Sequence, residues 1–184
     1  MKLNIDEIPD EGVSIVATSS QDEWLNQLFK KALGDRIGDG DSLKLDLTAS
    51  LIGSQVECLG SFYYSIHPIC ARCGSVFCLH EDLPLHFHYV SAADTQMGRH
   101  QKREEEINIA EDEDFSIYEG RSVDLDPMLY EQLILAQPTI YLCKQDCKGL
   151  CPQCGINLNT QACQCVPTPK VTPFDALKGF KVSK

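Results

Sequence analysis

Apolar residues recur along this chain with two different spacings. Leu43, Leu45 and Leu47 alternate with Lys44, Asp46 and Thr48, the two-residue period of a half-buried strand. Gly53-Ser54 then reads as a turn, and residues 55–66 as a returning strand that carries Cys58 among its apolar positions. Residues 74–90 hold one or two further strands. Leu83, Leu85, Phe87 and Tyr89 point one way, while Pro84, His86 and His88 point the other. A proline cannot donate to a ladder, so Pro84 marks an edge strand or the start of one. Between 55–66 and 74–90 lies Cys70-Ala-Arg-Cys73-Gly74. Residues 3–18 predict a leading strand and turn.

The second spacing is helical. Trp24, Leu25, Leu28, Phe29, Ala32 and Leu33 share one face of a helix that Gly34 ends, and Ser20-x-x-Glu23 has the form of a capping box. Asp126-Pro127 predicts another helix start, with aspartate as N-cap and proline at the first helical position. Leu125 can staple onto Tyr130. Leu129, Leu133, Ile134 and Ala136 make the apolar face, and Pro138 stops the helix. A short strand is expected from Thr139 to Leu142. Pro167, Pro169 and Pro173 predict an extended exit, with Phe174, Ala176, Leu177 and Phe180 able to form a last helical turn. The expected class is α+β: an antiparallel sheet, two helices and a cysteine-rich, zinc-bound C-terminal segment.

One stretch breaks both periods. Residues 95–114 run from Arg99, His100, Lys102 and Arg103 into Glu104-Glu105-Glu106 and Glu111-Asp112-Glu113-Asp114, seven acids in eleven residues at the end. Such a segment buries too little surface to order itself, and it predicts a mobile loop. The expected organisation is therefore an acidic α+β domain over 1–138, including that loop, and a zinc-binding segment with its packed tail over 139–184.

Charge sharpens the picture. The net charge of −11 is divided as −15 over residues 1–138 and +4 over 139–184. A zinc ion held by four thiolates carries a charge of −2, so two such sites would cancel most of that positive end. The broad cationic face that phosphate binding requires is missing, and an acidic protein suits a basic partner. The first residues turn acidic without an apolar signal region, and no apolar run approaches the ~18 residues of a membrane span. These features predict a cytoplasmic chain with reduced thiols and no membrane partner.

Chemistry is concentrated in ten cysteines, six of them between Cys143 and Cys165. Eight fall into pairs: Cys70/Cys73, Cys143/Cys147, Cys151/Cys154 and Cys163/Cys165. In a C-x2-C-G turn two thiolates aim at one point, and the glycine permits the positive φ that brings backbone N–H groups to the sulfurs. Eight thiolates allow two closed tetrahedral zinc sites. Cys151, Cys154, Cys163 and Cys165 form a compact local unit, which leaves Cys70, Cys73, Cys143 and Cys147 for a second site spanning some seventy residues. A single site with the other thiols free remains the main alternative. Iron–sulfur is another, because Cys147-x3-Cys151-x2-Cys154 has a cluster spacing, although only thirty residues follow it. Cys58 reads as a small buried hydrophobe. Cys78 is near enough to the first turn to replace a ligand. His86-x-His88 could bind metal, but the polar face of an edge strand explains the pair more simply. There is no phosphate loop, no dinucleotide fingerprint and no nucleophile with a base, so a nuclease or thiol oxidoreductase ranks last.

The order of these features, with Asp126-Pro127, Glu131-Gln132-Leu133-Ile134-Leu135 and then LCKQDCKGLCPQCGINLN, CQC and the final Pro173-Phe174-x-x-Leu177, resembles the YceD family. That resemblance implies a bacterial, cytoplasmic, non-enzymatic factor. It would be required for accumulation or processing of 23S ribosomal RNA and for large-subunit assembly. Its partners would be the precursor large subunit and basic ribosomal proteins. Direct contact with 23S RNA is the competing reading. It would use C-terminal lysines, chiefly Lys144, Lys148 and Lys170, since zinc knuckles can bind single strands.

Overall fold

The computed structural model describes residues 1–93 and 114–166. The chain begins with β1 (Lys2–Asn4), a 3-10 turn (Ile5–Glu7), β2 (Val13–Thr18) and α1 (Glu23–Leu33). After a second 3-10 turn come β3 (Ser42–Ile52), β4 (Gln55–Ile66) and β5 (Leu79–Ser91), then β6 (Asp114–Tyr118), β7 (Ser122–Asp124) and α2 (Asp126–Leu135). Five strands form a sheet in the order β2-β3-β4-β5-β6, and β1 pairs with β7 in a separate ribbon. The class is α+β.

The alternation in the sequence sets the sheet's two faces. Leu43, Leu45, Leu47 and Ala49 of β3 point inward with Val56, Cys58, Phe62, Tyr64 and Ile66 of β4 and Leu85, Phe87 and Tyr89 of β5. The helices close this face with Leu25, Leu28, Phe29 and Leu33 of α1 and Met128, Leu129 and Leu133 of α2. Each fully buried Leu or Phe contributes about 1.5–3 kcal/mol of burial free energy, so this face carries the stability of the fold. At the centre of the β3–β4 ladder, Gly60 stands opposite Leu47. A Cβ there would lie 2.1 Å from the Asp46 carbonyl oxygen and 2.7 Å from Leu47 Cα, so only glycine allows the two backbones to meet.

Several expectations need correction. The sheet is mixed, because β6 joins β5 in parallel, from Phe87↔Asp114 to Ser91↔Tyr118. Parallel neighbours need a long crossover, and the acidic stretch is the chain that joins these two strands. The expected mobile loop at 95–114 lies outside the described residues except for Asp114, which opens β6. Asp22, not Ser20, precedes α1, and its carboxylate accepts from the Thr18 N–H at 2.8 Å rather than from the helix. The second helix starts one residue earlier than expected: Asp126 is already helical and Leu125 is the N-cap. The buried face is Leu125, Met128, Leu129 and Leu133, whereas Ile134, expected on it, is partly exposed. No strand forms at Thr139–Leu142. One backbone bond, Ala71 N–H to the Tyr141 carbonyl at 2.9 Å, ties this segment to the Cys70 turn. The expected helical turn at 174–180 lies outside the described residues.

Pro84 behaves as its chemistry requires. It pairs only with Ser61 of β4, in the half of β5 that β6 does not reach.

Candidate metal centre

The eight paired cysteines converge as two tetrads. Cys70, Cys73, Cys143 and Cys147 form one; Cys151, Cys154, Cys163 and Cys165 form the other. In each, all four sulfurs lie within 4.8 Å of one another. None of the ten cysteines is in a disulfide.

Each tetrad starts from the same turn. In the first, the Cys70 N–H donates to the Ser75 carbonyl at 2.9 Å and the Gly74 N–H to the Cys70 carbonyl at 2.9 Å. In the second, the Cys151 N–H donates to Ile156 at 2.8 Å and the Gly155 N–H to Cys151 at 2.9 Å. Gly74 and Gly155 have φ of 69° and 73°, the left-handed conformation that glycine adopts without strain. Isolated bridges Ile69↔Val76 and Leu150↔Asn157 close the two turns. The first turn is held out by β4 and β5, and the chain following α2 brings Cys143 and Cys147 to it.

The sulfur spacing tests the fit to zinc. Bonds of ~2.3 Å in a tetrahedron separate the sulfurs by about 3.8 Å. In the first tetrad Cys70 and Cys147 are 3.8 Å apart, and Cys73 and Cys143 3.7 Å. The second is tighter, with Cys154–Cys163 at 3.5 Å and Cys151–Cys163 at 3.3 Å. The first matches the spacing of a four-thiolate ion; the second has the same four-sulfur arrangement but would have to open by about 0.3–0.5 Å to hold one. The spacing suggestive of an iron–sulfur cluster is split, because Cys147 belongs to the first tetrad and Cys151 and Cys154 to the second. Cys78 joins neither; it faces His80 Nε2 at 3.2 Å.

Backbone amides prepare the leading thiol of each turn. Those at Cys143 and Cys73 draw Cys70 down to about 6, and those at Cys154 and Gln153 draw Cys151 down to about 6. Burial pushes Cys143 the other way, up to about 12, with the neighbouring thiols adding to the effect. The side-chain amide of Asn159 also donates to the Cys147 sulfur at 3.3 Å. Donors aimed at sulfur stabilise the anionic ligand a metal needs.

A set of contacts locks the tetrads together. Arg72, inside the first turn, donates through Nη1 to the carbonyls of Gln145 and Cys147, both at 3.1 Å. Its own carbonyl accepts from the Leu150 N–H at 3.1 Å. Gly149 passes so close that a Cβ would sit 3.1 Å from the Arg72 oxygen. Asn157 Nδ2 reaches Ser75 Oγ at 3.3 Å, and Asn159 Oδ1 accepts from the Lys148 N–H at 3.0 Å. Arg72 and Ser75 carry no spacing signal in the sequence. Their partners lie more than seventy residues away and become neighbours only on folding.

The lysines considered for RNA are less concentrated. Lys144, between Cys143 and Cys147, and Lys148, on the loop joining the tetrads, are exposed, and Lys144 lies 4.0 Å from Asp146. Lys170 lies outside the described residues.

The model for a family described as large ribosomal RNA subunit accumulation protein YceD matches residues 60–181. The chain belongs to the YceD family. The matched segment contains all eight tetrad cysteines, Arg72, Gly149 and Asn159. No curated protein and no solved structure matches the chain. Among the described residues no helix is long and apolar enough to cross a membrane.

Proposed function

We propose that this protein is a non-enzymatic zinc factor for accumulation of 23S ribosomal RNA and assembly of the large ribosomal subunit in the bacterial cytoplasm. One observation carries the reading: the family match covers the whole interlocked pair of cysteine turns. Cys70, Cys73, Cys143 and Cys147 would hold one zinc ion, and Cys151, Cys154, Cys163 and Cys165 a second. Four thiolates leave no position for a substrate, so zinc here supplies rigidity rather than Lewis acidity. The first ion would clip the β4–β5 connection to the chain after α2. Residues 1–138 would then act as an acidic α+β domain, and 139–184 as a zinc-bound segment with its tail packed on it.

The acidic excess over residues 1–138 supports docking through protein contacts, with basic ribosomal proteins on a precursor large subunit. Direct binding of 23S RNA is the second reading, favoured by exposed Lys148 beside the 158–163 loop of the second tetrad, with Lys144 and Lys170 as further candidates.

A sucrose gradient of cell lysate tests the proposal. Tagged protein is expected to sediment with precursor large subunits and to be released by a high-salt wash. Protein that stays at the top of the gradient would refute attachment to the particle. Binding to deproteinised 23S fragments that weakens on Lys148→Ala would select the RNA reading instead.

A further inference from the structure

A third cluster of metal-ligating side chains lies apart from the cysteines, on the open face of the sheet. Glu57 of β4 is the register partner of His88 of β5, and His86 lies two positions earlier on the same face. The pleat therefore places one carboxylate and two imidazoles side by side on neighbouring strands. Their ligand atoms all lie within 4.8 Å of one another. His86 Nε2 and Glu57 Oε1 are already 3.3 Å apart. That is about the edge of a tetrahedron whose bonds are ~2.0–2.1 Å. The two imidazole rings are 4.9 Å apart and tilted by 58°, so they are not stacked on each other.

We propose that Glu57, His86 and His88 form a third metal site, for a borderline divalent cation such as Zn2+. Imidazole and carboxylate suit such ions, and three protein ligands leave a coordination position open. The site differs in kind from the tetrads. It is built from nitrogen and oxygen rather than sulfur, and it opens to solvent at His86, whose side chain is 43% exposed, while Glu57 is 24% exposed and His88 Nε2 is buried. Its ion would exchange with solution, with the open position taken by water or by an incoming donor atom. The H-x-H spacing by itself points to an edge strand. The carboxylate that completes the set comes from a residue 29 positions away.

The test reads the imidazoles, so it is independent of whether the thiol tetrads carry zinc. The full-length protein, labelled at histidine nitrogen, is titrated with Zn2+ and followed by NMR. His86 and His88 are expected to shift together and saturate with one equivalent beyond any taken by cysteine. His67, His80 and His100 should stay in place. Glu57→Gln, which keeps the shape, should weaken binding by more than the roughly 10–100-fold an outer-sphere partner is worth. His86→Ala with His88→Ala should abolish that equivalent, with the Trp24 fluorescence unchanged as a check on folding. The proposal is overturned if the two rings do not respond to a large excess of Zn2+. It is equally overturned if all five histidines shift alike, or if Glu57→Gln binds as the wild type does.

Discussion

At the scale of single residues, two side chains and one missing side chain decide most. Gly60 is required by space, since any Cβ would overlap the β3 backbone at Asp46. Gly60→Ala should cost about 1–3 kcal/mol, the range for forcing extra atoms into a packed region, and urea unfolding would measure it. Nothing in the local sequence singles out this glycine, because the clash is with a residue fourteen positions earlier, on the neighbouring strand. Arg72 and Asn159 are similar cases. Both read as surface residues of a turn, yet their polar groups are spent on the loop that links the tetrads. Cys58 was legible, since its place in the alternation of β4 already made it a core residue. It is fully buried, and burial, with the Glu57 charge beside it, pushes its thiol up to about 12.

Among the elements, the two cysteine turns have the same backbone and different surroundings. Cys70, Cys73 and Cys147 are buried, with Phe77 and Leu142 packed against them. In the second tetrad Cys154 and Cys165 are exposed. Solvent and chelator reach an exposed thiolate more readily, so the second site should lose its metal first. Stepwise treatment of the zinc-loaded protein with a chelator is expected to release one equivalent quickly and one slowly. Cys154→Ser should remove the fast step alone, and loss of the slow step in that variant would refute the order. The repeated C-x2-C-G made both turns readable from sequence. Their unequal burial was not, because it depends on what the β4–β5 connection and the chain after α2 place over each one, Phe77 and Leu142 in the case of the first. The second helix shows the same limit in miniature. Its proline marked the start to within one residue, but which side faced the sheet was settled by Leu125 and Met128 filling the space beneath it.

For the whole molecule, the main core and the thiol block are separate. Phe29, Phe62, Phe87 and the inward leucines pack together without any of the tetrad cysteines, while Cys70, Cys73 and Cys147 form their own cluster. Structural zinc contributes on the order of 10 kcal/mol to domains that fold only around it. Here the sheet has a core of its own. Stripping both ions should therefore leave the far-UV circular dichroism of the strands and helices largely intact. The segment from Cys143 to Cys165 should become accessible to proteolysis. Collapse of the whole spectrum on chelation would mean that the sheet depends on the metal.

Periodicity and spacing by themselves determined the strands from β3 to β5, both helices, the two C-x2-C-G turns and the four short-range cysteine pairs. Those features depend on neighbours within a few residues, where the rules of pleat, helical turn and glycine conformation act directly. Tertiary structure alone decided the parallel addition of β6, the bonds by which Arg72 joins one tetrad to the other and the meeting of Glu57 with His86 and His88. Each brings together groups from distant parts of the chain, and their proximity follows from register and packing, which no local pattern contains.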